Sequence, residues 1–116
     1  MKKRKKNASL HEALRKKWAI RIMLEKEYTK SAAQWMTDRL ENLIDYMLYG
    51  YALIAYYKQD GTFKFVKATL LPYESHFHQG YDIQRIEGHV AYWDVDIQAW
   101  RSFQLENFLE WRPVVN

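Results

Sequence analysis

Seven residues from Tyr56 onward have the side-chain types that hold nucleic acid. Tyr56, Tyr92, Trp93 and Trp100 offer aromatic rings, and Lys64, Lys67 and Arg101 offer cations. Bases stack on such rings while phosphates follow the positive charge. A second set lies at the other end of the chain, in the run Lys2-Lys3-Arg4-Lys5-Lys6, extended by Arg15 and Lys16. Cations placed against phosphates release counterions, so their binding falls steeply with salt and reads no sequence. Both sets also have structural uses. Neighbours in a strand point to opposite faces, so one of Tyr92 and Trp93 belongs to a core. Arg101 has Asp94 and Asp96 as pairing partners across a hairpin. The basic run also serves as a solvated tail, and Arg15, Lys16 and Lys17 also serve as the wet side of an amphipathic helix.

Other chemistries find little here. His76 and His78 lie two apart, with Glu74 and His89 nearby. A metal site needs a third placed ligand and outer partners that orient the first ones, so no metal is expected. No serine, histidine and acid grouping has a meaningful spacing, and no glycine-rich loop offers to cradle a phosphate. The chain has no cysteine, which excludes disulfides and thiolate metal sites. The expectation is a non-catalytic protein without a cofactor.

Charge is segregated along the chain. Residues 1–30 hold eleven Lys/Arg and three Asp/Glu, a net +8, while residues 31–116 hold seven and eleven, a net −4. A basic arm on a mildly acidic body suits nucleic acid or an anionic partner surface. The positive start is followed by Asn7-Ala8-Ser9-Leu10-His11-Glu12 rather than an apolar stretch, so no secretory signal is read. No run has the length of a membrane span. The expected location is the cytoplasm, that of the host cell if the protein is phage-encoded, with no membrane partner.

The elements that must position these residues follow from periodicity. Residues 1–8 read as a basic, disordered tail. Ser9 with Glu12 makes a capping box, and Leu10, Leu14, Trp18 and Ile22 then recur every fourth residue, as in an amphipathic helix. Ser31 with Gln34 makes a second capping box before the stripe Met36, Leu40, Leu43, Ile44, Met47 and Leu48, which Gly50 ends. The break near Tyr28-Thr29-Lys30 predicts a helical hairpin over 9–49, with one kinked helix as the alternative. From 50 to 116 the period is two. Strands are predicted over 51–58 and 62–71, joined by the hairpin turn Gln59-Asp60-Gly61. Residues 72–88 read as a long loop with one short strand at 81–86. Then come a strand at 89–96, a tight polar turn, a second strand, a corner at Leu105-Glu106-Asn107-Phe108 and a last strand at 108–112. The fold class is α+β: helices, then a small five-stranded barrel. Residues 51–58 and 62–70 are apolar on both faces. One face fills the barrel, and the helices are expected to cover the other, with an aromatic contact surface as the alternative.

The turn Lys58-Gln59-Asp60-Gly61-Thr62, the strand end Ala68-Thr69-Leu70 and three later segments carry a family resemblance. Those segments are Tyr92-Trp93-Asp94-Val95, Ala99-Trp100-Arg101-Ser102-Phe103 and Leu105-Glu106-Asn107. Together they resemble the WYL-like family of Sm-like, SH3-like β-barrels, in its short stand-alone branch of Bacteroides-type bacteria and their phages. The resemblance covers residues 50–111. It implies a five-stranded barrel used in ligand or nucleic-acid sensing, without established catalysis, and it matches Tyr92, Trp93, Arg101 and Phe103. The Trp-Tyr-Leu order of the family is replaced by Tyr92-Trp93-Asp94, and Gln104 and Asn107 stand near the places of later arginines. The expected function is a nucleic-acid-binding or regulatory module. The alternative is a phage accessory, virion or interaction protein in which the helices dock a protein partner or a second copy.

Overall fold

Lysine, arginine, alanine and leucine are good helix formers, and no glycine or proline precedes Gly50. In the computed structural model, which describes the backbone of residues 2–115 and the side chains of residues 11–115, helix α1 runs from Lys2 to Lys26. It carries the basic run within it rather than starting at Ser9. Residues 2–8, expected from the sequence as part of a disordered tail, lie within this helix. Leu14, Trp18 and Ile22 are buried along one stripe, as their spacing requires.

The chain breaks at Glu27, which takes a left-handed conformation with φ 57°. Thr29 then caps α2, Lys30–Met47, its hydroxyl accepting from the Ala32 amide at 3.1 Å. The break is thus a true turn between two helices, and the cap is Thr29 rather than Ser31. The helices run antiparallel, with His11 beside Glu41 at 3.4 Å and Arg15 between Asp38 and Glu41. Helix α2 buries Ala33, Met36, Leu40, Leu43, Ile44 and Met47. Its last carbonyl, on Met47, accepts from the Leu70 amide at 2.9 Å and the Thr69 hydroxyl at 3.2 Å. That contact ties the helix to the end of a strand.

Strands β1, Tyr51–Tyr57, and β2, Phe63–Thr69, form a hairpin in register from Tyr51↔Thr69 to Tyr57↔Phe63. Gly61 has φ 88°, the conformation that only glycine adopts readily, and the Asp60 carboxylate accepts from the Thr62 amide at 2.9 Å. Residues 72–88 contain a short helix α3, Tyr73–Phe77, and a 3-10 turn at Ile83–Arg85. The strand expected at 81–86 is absent: Asp82 accepts from the Gln84 amide at 3.0 Å and winds the segment into the turn instead.

Strands β3, His89–Asp94, and β4, Ala99–Gln104, pair along their whole length, and a 3-10 turn at Leu105–Asn107 leads into β5, Phe108–Pro113. The antiparallel order is β4-β3-β2-β1-β5. Strands β2 and β3 meet only at Ala68↔Asp94 and Thr69↔Trp93, so the start of β2 runs on beside β1 alone. The inner face buries Ala52, Ile54, Tyr56, Val66, Tyr92 and Phe103 in one cluster with the helix stripes. Helix α2 lies along β5 and β1, and α1 against the 3-10 corner. The helices are spent on that side, so the expectation that they also cover the outer face of β1 and β2 is corrected. Tyr51, Tyr57, Phe63 and Phe65 are exposed there.

Candidate nucleic-acid interface

Strand alternation decides the fate of each aromatic residue singled out by type. Tyr56 and Tyr92 point inward from β1 and β3, and their hydroxyls meet at 2.6 Å. The Tyr56 ring stacks on Phe103 at 5.1 Å. Burial, reinforced by the hydrogen bond to Tyr56, pushes the ionisation of the Tyr92 hydroxyl upward, and both rings belong to the buried cluster of the barrel. Tyr92 therefore offers no ring face to a base. Lys64 stands opposite Tyr56, half-buried, and Arg101 stands opposite Tyr92, exposed. Among the described residues neither makes an ion pair. Asp94, the expected partner of Arg101, instead accepts from the Asp96 amide at 3.1 Å and shapes the β3–β4 turn.

Trp93 and Trp100 are cross-strand partners facing outward from β3 and β4, their rings 5.4 Å apart. Helix α3 closes over them. His76 lies 5.0 Å from Trp93, Phe77 lies 5.1 Å from Trp100, and the Trp100 indole N–H donates to His76 Nδ1 at 3.1 Å. Both tryptophans end half-buried in an aromatic layer rather than on an open platform. His76 is engaged in that layer, and among the described residues no group of three or more His, Asp and Glu is placed to hold a metal.

The cations of α1 divide into two kinds. Arg15 is held by Asp38 and Glu41 of α2. Arg21 reaches the 3-10 corner, where its guanidinium donates to both oxygens of Glu106 at 2.7 and 3.3 Å. Gly88 makes room for it, since a Cβ there would stand 2.7 Å from Arg21 Nη1. Burial works to raise the Glu106 carboxyl, but the Arg21 hydrogen bond and charge outweigh it and hold it below the usual carboxylate range. Lys16 and Lys17 remain exposed, without an ion pair among the described residues. The side chains of Lys2, Lys3, Arg4, Lys5 and Lys6 lie outside the described residues.

Two further features shape the surface. One is the open outer face of β1 and β2, the aromatic contact surface that the sequence offered as the alternative to helix cover, where Lys67 joins the exposed aromatics with its Nζ 5.5 Å from the Tyr51 ring centre. The two-sided apolar pattern signalled it, but pattern alone does not say which face the helices leave free. The other is a cleft of about 400 Å³ at the end of the barrel, floored by Tyr56, Phe103 and Asn107 and rimmed by His89, Ser102 and Gln104. Its residues come from β1, β3, β4 and the 3-10 corner, and no local spacing announces them.

The family model WYL_2, described as an Sm-like SH3 β-barrel fold, matches residues 40–109. The match begins inside α2, where Leu40, Leu43, Ile44 and Met47 are fully buried against the barrel. No curated protein and no solved structure gives a match. No helix among the described residues is long and apolar enough to cross a membrane.

Proposed function

The chain belongs to the WYL_2 family of Sm-like SH3 β-barrels, and from that premise we propose that it is a non-catalytic, nucleic-acid-binding module with a regulatory role in a bacterium or its phage. The observation that carries this reading is the segregation of charge onto one helix. Of the eleven Lys/Arg in residues 1–30, nine fall between Lys2 and Arg21, all within α1. Arg15 and Arg21 are spent on ion pairs that fix the helix to α2 and to the barrel. Lys16 and Lys17 are left facing solvent, on the same helix as the run Lys2–Lys6. A cationic helix pinned to a stable body supplies sequence-independent attraction to phosphate.

The test is fluorescence anisotropy of labelled oligonucleotides across a salt series, with the full chain and with a version lacking residues 2–8. Binding that weakens with salt, and has a shallower salt dependence in the shortened version, supports the reading. Absence of binding at low salt sinks it. A second reading, a protein-docking component of a phage accessory or virion assembly, has one observation in its favour. Ile20, Leu24 and Trp35 are exposed on the helical hairpin, and Ile20 lines, with Ala19 and Met23, a groove of about 700 Å³.

A further inference from the structure

Exposed aromatic rings gathered on one face of a sheet run against the usual rule that such faces are buried or broken up with charge. On the outer face of β1 and β2, Tyr51 is 40% exposed, Tyr57 43%, Phe63 53% and Phe65 62%. The pairing Tyr57↔Phe63 brings two of these rings to 5.8 Å in an edge-on arrangement. Phe63 and Phe65 are two residues apart on one strand, so they project on the same side about 7 Å apart.

The charges around the rings favour an anionic occupant. The pairings Leu53↔Lys67 and Leu53↔Arg112 put one cation on either side of the central strand, on this same face. The carboxylate of the face, Glu110, is held by Arg39 at 2.6 Å, so it does not oppose a phosphate unscreened. Asp60, at the hairpin tip, is turned into its own loop by the Thr62 amide. Two copies of the face brought together would set Lys67 and Arg112 against their like, which argues against self-association through it.

Flat rings with flanking cations suit bases whose faces are free, and those belong to single strands. A duplex keeps its bases stacked on one another. We propose that the outer face of β5, β1 and β2 is a stacking surface for single-stranded nucleic acid, with Tyr57, Phe63 and Phe65 under the bases and Lys67 and Arg112 on the phosphates. The site lies on the opposite side of the sheet from the inward-facing Tyr56–Tyr92 pair. This inference rests on the nucleic-acid reading above and names the form of nucleic acid and the surface that takes it.

The test compares a labelled oligo-deoxythymidine with a labelled duplex of equal length, by anisotropy at fixed salt. It uses the full-length protein, the Phe63→Ala/Phe65→Ala double variant and Phe65→Trp. All substituted positions are exposed, and circular dichroism checks that the variants fold. The expected result is tighter binding of the single strand, a loss of about tenfold or more in the double variant, an unchanged duplex affinity and retained binding in Phe65→Trp. A double variant that binds the single strand as the wild type does overturns the inference while leaving nucleic-acid binding intact, as does a preference for the duplex. Failure of both oligonucleotides to bind at low salt removes the underlying reading and this surface with it.

Discussion

The hairpins β1–β2 and β3–β4 both turn aromatic rings away from the barrel interior, yet they are finished differently. On β3–β4, Trp93 and Trp100 are roofed by α3, and the Trp100 N–H is satisfied by His76. On β1–β2, Tyr57, Phe63 and Phe65 have no roof. The difference comes from the segment after β2, which folds back over one hairpin and leaves the other bare. Rings that are capped and hydrogen-bonded contribute to the fold. Rings held in water at a hydrophobic cost, with cations beside them, are available to a partner. Aromatic residue type is thus a poor guide to which rings stay exposed, and strand register together with the course of the next segment is a better one.

That contrast can be broken first in the interior. Tyr92→Ala removes a fully buried ring and strands the Tyr56 hydroxyl, so it should cost about 3–5 kcal/mol in urea unfolding. A loss under about 1 kcal/mol would mean that the ring is not the core residue described. Trp100→Ala removes a half-buried ring from beneath the α3 roof and frees His76. About 2 kcal/mol is expected, less than the full range for a buried tryptophan because the ring is partly wet. A normal melting curve for this variant would show that α3 does not depend on it.

Glu106→Gln keeps the shape of the corner but weakens its link to Arg21, which is itself partly exposed, so the expected loss is about 1–2 kcal/mol at neutral pH. The sign with pH follows from the lowered carboxyl of Glu106. A carboxyl depressed in the folded state stabilises fully above its ordinary value of 4.5 and loses that contribution as pH falls through the lowered value. Urea titrations on the acid side should therefore show a flatter decline in Glu106→Gln than in the wild type. Parallel curves would remove the carboxylate from that role. Smallest is the effect of Phe65→Ala on stability, within about 0.5 kcal/mol because the ring is mostly in water. A larger loss would show that the outer face supports the fold and would blur the contrast between the hairpins.

Much of the barrel was legible because its signals are local. The turn at Gly61, the period-two runs and the corner at Leu105–Asn107 each depend on a few adjacent residues. The helix break was legible too, although Thr29 took the cap expected of Ser31, since both hydroxyls suit the position. Helix α3 was not, because five residues are too short to show a period and Pro72 at its start gives no side-chain cap. The candidate site was least legible. Alternation showed that Tyr92 and Trp93 part company, but not that the outward one would be roofed. It showed two apolar faces on β1 and β2, but not that the helices would spend themselves along β5. Those outcomes depend on contacts between elements far apart in the chain.

The link between Arg21 and Glu106 joins residues 85 positions apart, and that distance has a consequence in time. On the ribosome, α1 emerges well before the corner that receives Arg21. At typical elongation rates the wait is roughly 4–17 s. Throughout it α1 has α2 to pack against but not the corner that receives Arg21. The tie between α1 and the barrel through Glu106 can form only once that corner is out, whereas the contact of Arg15 with Asp38 and Glu41 can form as soon as α2 is.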